Sequence, residues 1–335
     1  MKKFSYYVGI DVSKLKLDVT VLWESAQGTK TSHHVIENEM KSISLFVKDL
    51  SKGKKTEDIL FCFEDTGVYS LPLAYYFSGK NLSYSQVAAL EIKRSKGISR
   101  GKSDKTDSAD IAFYAYTHLH KLSLSTVPVV AVQKLKLLFA EREKILKALS
   151  MFESTNENNG FIPDEILSCV SSVNKSVVAK LKKALSQIEE KMMEIIKLDD
   201  EINEQYKLVT SISGIGTQTA IYLIITTKAF AAFDNWRKLA CYAGTAPFPY
   251  QSGTSIKGRT KVHPMADKKL KSLLNMCAMV AVRYDKELKI YYERKIKDGK
   301  SKMLVLNNVR CKLLARVFAV ISRKTPFVNI CKFAA

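Results

Sequence analysis

The chain lacks what a metal finger or a disulfide scaffold needs. Its six cysteines, at 62, 169, 241, 277, 311 and 331, contain no C-x-x-C pair. That excludes a zinc ribbon and a cross-linked secreted framework. Its five histidines, at 33, 34, 118, 120 and 263, also lack ligand spacing, so carboxylates would have to hold any metal. No apolar run reaches the roughly 18 residues of a membrane span. Lys2 and Lys3 precede no long apolar stretch, so no signal peptide is expected. Lys2 stands where myristoylation needs glycine, and Cys331 is fifth from the end where prenylation needs the fourth. Internal repeats and low-complexity tracts are missing too. A cytoplasmic protein is the expectation.

Acids are scarce as well. Lys and Arg number 53 against 33 Asp and Glu, a net charge of +20. From 251 to 335 there are 20 basic residues and only 5 acidic ones. Such a surface attracts polyanions. Without a lipid signal the expected partner is nucleic acid rather than a membrane, which places the protein at the nucleoid. What is plentiful is core material: 46% of the 335 residues are apolar and 10% aromatic, enough for about two domains at roughly 150 residues each.

Residues 1–125 read as α/β. Strands are expected at 6–12, 17–23, 33–37, 59–64 and 84–90, and helices at 42–50 and 70–78. The first three strands look antiparallel, and the rest alternate with helices. A basic, glycine-containing loop spans 91–105, ahead of a helix over 106–120. Residues 126–207 read as a helical linker, with helices at 132–149 and 175–206. Apolar residues at 181, 185, 188, 192 and 195 step by four and three, a coiled-coil register interrupted at Asp199. Packing within the chain and pairing with a second subunit both fit that stripe. Residues 208–335 read as mainly helical, with a loop or hairpin over 243–262.

Four acids stand out. Asp11 and Glu64 each end an apolar run. Asp104 and Asp107 are three apart at a helix start and project from one turn. Four converging carboxylates make a hard oxygen site suited to Mg²⁺ or Mn²⁺, the ions of phosphodiester chemistry. Beside them Lys93, Arg94, Lys96, Arg100, Lys102 and Lys105 form a basic, glycine-hinged run suited to tracking phosphates. Gly214 and Gly216 precede a helix, as in a helix-hairpin-helix phosphate clamp or in a plain turn. Ser252 and Ser255 lie in a glycine-containing insert followed by Lys257, Arg259 and Lys261. A serine there can attack a phosphodiester if it is activated and the phosphate neutralised, although loop serines are mostly just solvated.

Taken together, Tyr7-Val8-Gly9-Ile10-Asp11-Val12-Ser13-Lys14, Phe63-Glu64-Asp65-Thr66-Gly67 and Asp104-Lys105-Thr106-Asp107-Ser108-Ala109-Asp110 carry a resemblance. So do Ser211 through Gly216, Phe233-Asp234-Asn235-Trp236, Ala243-Gly244 and Pro247 through Gly253. Over most of its length the sequence resembles the DEDD-type insertion-sequence transposases. These are bridge-RNA-guided serine recombinases with relatives among the Piv-type DNA invertases. The resemblance implies a RuvC-like ribonuclease H fold at the N-terminus, with Asp11, Glu64, Asp104 and Asp107 holding divalent metal. It further implies a coiled-coil linker, a C-terminal transposase domain, a guide RNA and a dimer or dimer of dimers. The serine of the family's Ser-Gly motif, which links covalently to DNA, falls on Ser252. The chain departs from the family at Val262-His263-Pro264-Met265-Ala266, where Ile-Ser-Lys-x-Gly is common, and this keeps Ser255 as the alternative. Two competing readings are an actin-like sugar kinase or ATPase, from Gly9-Ile10-Asp11, and a non-catalytic nucleic-acid binder. The first needs further glycine-rich phosphate loops and gives Asp104 and Asp107 no role. The intact set of acids argues against the second.

Overall fold

The computed structural model describes residues 4–95, 103–127, 129–154, 163–252 and 256–329. The chain forms two compact units, Met1–Val127 and Pro128–Ala335.

The first unit is a five-stranded mixed sheet with helices on both faces. Strands β1 (Tyr6–Val12), β2 (Lys16–Ser25) and β3 (Gly28–Glu37) form an antiparallel meander. Helix α1 (Met40–Leu50) then crosses to β4 (Ile59–Glu64), and α2 (Leu71–Gly79) to β5 (Tyr84–Val87). Both crossovers return parallel, giving the order β3-β2-β1-β4-β5. Alternation along the strands decides which residues face which layer. Val8, Ile10, Val19, Val21, Phe61 and Phe63 pack against Ile43, Val47, Leu73 and Phe77 of α1 and α2. Tyr7, Leu22, Leu60 and Cys62 face the other way. They meet Ile92 of α3 (Ala89–Ser95) and Ile111, Ala112 and Ala115 of α4 (Asp104–Thr117).

Several boundaries differ from the sequence expectation: β3 begins at Gly28 rather than 33, and β5 ends at Val87 rather than 90. The segment after β5 is helical through Ser95, because Ile92 is fully buried beneath the sheet. Helix α4 starts at Asp104 rather than 106, because Ser103 caps it: the Ser103 hydroxyl accepts from the Thr106 nitrogen, and the Thr106 hydroxyl from the Ser103 nitrogen.

Among the described residues the second unit is helical apart from one hairpin. Helices α5 (Val130–Ser154) and α6 (Asp164–Leu198) run antiparallel, tied by Arg142–Glu189 and Lys182–Glu153 ion pairs. Met192 of the heptad stripe and the adjacent Ile196 pack against Val132, Leu135 and Phe139 of α5, with Ile188 and Ile195 of the stripe at the edge of the same cluster. The stripe therefore finds its partner helix within the chain. At Asp199 the helix breaks, and that residue's carboxylate caps α7 (Asp200–Thr210) by accepting from the Ile202 nitrogen. Helices α8 (Thr217–Thr227) and α9 (Trp236–Tyr242) follow, then strands β6 (Pro247–Ser252) and β7 (Ile256–Val262). Helices α10 (Lys268–Tyr284), α11 (Lys286–Lys297) and α12 (Lys302–Arg323) complete the unit. Leu270, Leu274, Val309, Leu313 and Val317 share one core with Leu208, Val209, Leu223 and Leu239. Among the described residues no helix is long and apolar enough to cross a membrane.

Candidate active site

The α4 face of the first unit's sheet gathers the acids. Asp11 is two residues from Gly9, which lies under α4, and points to the same side. Glu64 lies one position beyond the Ile10–Phe63 register pair, so it stands beside Asp11 on the neighbouring strand and the same face. Asp104 and Asp107 occupy the first turn of α4, where the helix's positive end favours negative side chains. The Asp11 carboxyl is raised above the usual range, first by partial burial, then by the charges of Asp107, Asp104 and Asp18. Burial also pushes the neighbouring Cys62 thiol up to about 12, with Glu64 adding to it.

Asp18 is a fifth acid that composition and motif did not point out. It pairs directly with Asp11 across the β1–β2 hairpin and is almost fully buried. Its two oxygens have separate partners: His33 Nε2 at 3.2 Å on Oδ1 and Lys16 Nζ at 3.2 Å on Oδ2. Lys16 Nζ also donates to Asp104 Oδ2 at 2.8 Å, and these two hydrogen bonds hold its ammonium above the usual lysine range. The signal was present in the sequence. Asp11 and Asp18 are equidistant from the turn at Lys14 and Leu15, which puts them opposite each other in any tight hairpin.

Among the described residues no three His, Cys, Asp or Glu side chains come close enough together to hold one metal ion. The four predicted acids thus share a face without closing on a point, and Asp104 is engaged by Lys16. By donor chemistry the set still fits a hard divalent cation. All its ligands are carboxylate oxygens, and like charges crowd Asp11.

The basic run lies beside this face only in part. Lys93 and Arg94 sit in the last turn of α3, and Lys105 is exposed on α4. Lys96, Arg100 and Lys102 lie outside the described residues.

In the second unit, Ser252 is the last residue of β6, paired with Ile256 of β7. It therefore ends a strand of a hairpin instead of lying in an open loop. Lys257 and Arg259 lie on β7 with an exposed Lys261, and Ser255 is outside the described residues. Buried Thr245 sits just ahead of β6, and its carbonyl accepts from Asn307 Nδ2 at 2.7 Å.

Gly214 and Gly216 lie just ahead of α8. A β-carbon on Gly214, whose φ is +97°, would lie 2.7 Å from the Ala281 β-carbon and 2.8 Å from the Cys277 carbonyl oxygen. Gly214 thus serves close packing against α10. Gly216 is exposed before α8, beside a pocket of about 710 Å³ whose lining includes Glu189, Glu190 and Glu194. Those carboxylates oppose a phosphate there.

Two family models match the chain. A DEDD family of the IS110 type, described as Transposase, matches residues 8–156. The Transposase IS116/IS110/IS902 family matches residues 206–293. An acid-bearing mixed sheet joined to a helical transposase region defines a DNA transposase or recombinase. The pilin gene-inverting protein of Moraxella lacunata is 28% identical over 335 residues, covering 96% of this chain and 97% of that protein. Its Moraxella bovis counterpart is 27% identical over the same shares. An uncharacterized 43.6 kDa protein of insertion element IS110 from Streptomyces coelicolor is 28% identical over 148 residues, 43% of this chain and 36% of that one. The chain belongs to the IS110-type DEDD transposases.

Proposed function

We propose that the chain cuts and rejoins DNA of a mobile element through a covalent phosphoserine link, with Asp11, Glu64, Asp104 and Asp107 as ligands for Mg²⁺ or Mn²⁺ and Ser252 as nucleophile. The observation that carries this reading is that Asp11 and Glu64 on the sheet and Asp104 and Asp107 on α4 lie on the same side of the sheet, with the Asp11 carboxyl raised first by burial and then by the charges of Asp107 and Asp104. The strand order, an antiparallel meander followed by two parallel returns, supports a RuvC-like ribonuclease H fold for residues 1–125. Residues 126–207 then act as linker and 208–335 as the transposase domain.

When bound, a divalent ion supplies positive charge against the phosphodiester oxygens. Ser252 Oγ displaces one DNA hydroxyl at phosphorus. The serine O–P bond forms, the bond to the leaving strand breaks, and the serine proton ends on the departing oxygen. A hydroxyl from another strand reverses the step, so the number of phosphodiesters is conserved. Lys257, Arg259 and Lys261 offset the charge on the transferring phosphate. The basic run from Lys93 to Lys105 tracks the backbone.

The relatives named as pilin gene-inverting proteins favour inversion of a DNA segment as the outcome. The excess of positive charge leaves room for a structured guide RNA as well as donor and target DNA. A homo-oligomer, dimer or tetramer, at the nucleoid completes the proposal. The first part of α6, ahead of the Glu153–Lys182 pair, exposes Ile166, Val170 and Val173 at four- and three-residue steps, a stripe suited to a second copy.

Adduct formation on denaturing gels tests the reading. Ser252→Ala should eliminate the protein–DNA adduct. Asp104→Asn should abolish cleavage while leaving DNA binding near normal. An adduct lost only in Ser255→Ala assigns the other serine, and one that survives both substitutions rejects the phosphoserine step.

A further inference from the structure

We infer that Lys16 is a built-in counter-cation of the acid face, tying Asp104 on α4 to Asp18 on the sheet and competing with a divalent ion for Asp104. The inference rests on the reading of Asp104 as a metal ligand.

The two carboxylates that Lys16 joins differ in freedom. Asp18 is held on both sides. It is almost fully buried on β2, and its other oxygen is taken by His33. Asp104 sits on the first turn of α4 with its side chain 54% exposed, so it can turn. Lys16 Nζ lies 3.2 Å from Asp18 Oδ2 and 2.8 Å from Asp104 Oδ2. An ammonium is a compact point charge with three donors, which suits bridging two carboxylates that have no other reason to approach. The bridge offsets like-charge repulsion across the sheet–helix seam.

Lys16 occupies only Oδ2 of Asp104, but a divalent cation on the same carboxylate would stand beside the Lys16 ammonium, and the two cations repel each other. Taking Asp104 into a metal site therefore works against the Lys16 contact and favours letting it go. Metal uptake becomes an exchange, one cation in and one ammonium released. This also accounts for a set of acids that shares a face without converging. His33 and Asp18 fix one end of the bridge, and the other end is free to let go.

The test is a calorimetric titration of the full-length, chelator-stripped protein with Mn²⁺ at fixed ionic strength, without DNA. Lys16→Met removes the competitor, so Mn²⁺ should bind about three- to tenfold more tightly, the scale expected for losing exposed ion pairs. Lys14→Met removes the same charge from the same turn without a bridge to remove, and should stay within about twofold of the unaltered protein. Lys16→Arg keeps a bridging cation and should bind Mn²⁺ no more tightly than the unaltered protein. Unchanged or weaker affinity in Lys16→Met overturns the inference, as does equal tightening in Lys14→Met, which is a field effect only. If neither the unaltered protein nor Lys16→Met takes up Mn²⁺, the metal reading itself falls and this inference with it. If the unaltered protein binds and Lys16→Met binds equally, only the inference falls.

Discussion

Gly9 on β1 lies against Ala112 of α4 so closely that a β-carbon at Gly9 would stand 2.2 Å from the Ala112 nitrogen and 2.3 Å from the Ser108 carbonyl oxygen. Next to this contact the Thr20 and Ser108 hydroxyls hydrogen-bond at 2.8 Å in the buried seam, and Thr20 is Gly9's cross-strand partner. Together these fix the height of α4 over the sheet, and so where Asp104 and Asp107 stand relative to Asp11. Gly9→Ala meets backbone rather than a flexible side chain, so α4 must shift. We expect a loss of about 1–3 kcal/mol, or more, in denaturant unfolding. Cleavage should fall far beyond the unfolded fraction at a temperature where the variant is folded. Normal cleavage by a folded Gly9→Ala protein would show that α4 placement is not what aligns the acids.

Much of this seam was legible in the sequence, and the reason is local. The apolar runs Tyr6–Val12 and Ile59–Glu64 mark strands buried on both faces, with an acid at or next to the end of each. The three-residue step from Asp104 to Asp107 needs only one helical turn. Lys16, Asp18 and His33 stayed hidden because their meaning comes from cross-strand register, which a linear motif does not carry. The heptad stripe of α6 was readable as a packing surface, but its partner was not. Any apolar helix satisfies it, and α5 does. A glycine before a helix reads equally as a phosphate clamp or a plain turn, and the close packing of Gly214 against Ala281 comes from a contact across the fold that the linear sequence does not carry.

Tyr114 couples α4 to α3 and sets an alkaline limit on that coupling. Its hydroxyl donates to Glu91 Oε2 at 3.1 Å. Burial first, then Glu91, pushes its pKa up to about 12 from an ordinary 10.0. The folded chain therefore keeps this proton to higher pH than the unfolded chain does. The associated stability is complete below the unfolded value and lost as pH climbs through the folded one. Tyr114→Phe should flatten the fall in melting temperature between about pH 10 and 12, measured against the unaltered protein. An identical slope in both would mean that other tyrosines carry the alkaline transition.

Asn307 anchors the hairpin that bears Ser252. Its amide reaches the buried Thr245 carbonyl, and its own oxygen lies 3.4 Å from Arg310 Nη1. Arg310 is almost fully buried and donates to Asn275 Oδ1, while its Nε has no partner among the described residues. Burial lowers its pKa from the usual guanidinium value. Asn307→Ala leaves the Thr245 carbonyl short of its best donor, a loss of about 1–3 kcal/mol. Amide exchange across 247–262 should quicken more than in α8 or α10, and adduct formation should slow. Uniform exchange throughout the unit would point to a global loss of stability instead.

The basic C-terminal surface should be tested by substitution, because removing it removes the core. Leu270, Leu274, Val309 and Leu313 pack with Leu208, Val209, Leu223 and Leu239, so a chain ended near 251 would expose an apolar seam. Lys286, Lys289 and Lys297 on α11 are exposed, while Leu288 of the same helix faces inward to that core. If they contact DNA, each neutralises a phosphate and releases condensed counterions. A slope of about −0.9 per phosphate in log affinity against log salt follows for duplex DNA. Changing all three to Gln should flatten that slope by up to about 2.7 and weaken binding to unrelated duplexes equally, since backbone contacts carry no sequence information. The melting temperature should hardly move, because none of the three is buried. An unchanged salt slope, with binding still tight, would put the DNA on another face of the second unit and leave α11's charge for a different polyanion, the guide RNA being the first to titrate in its place.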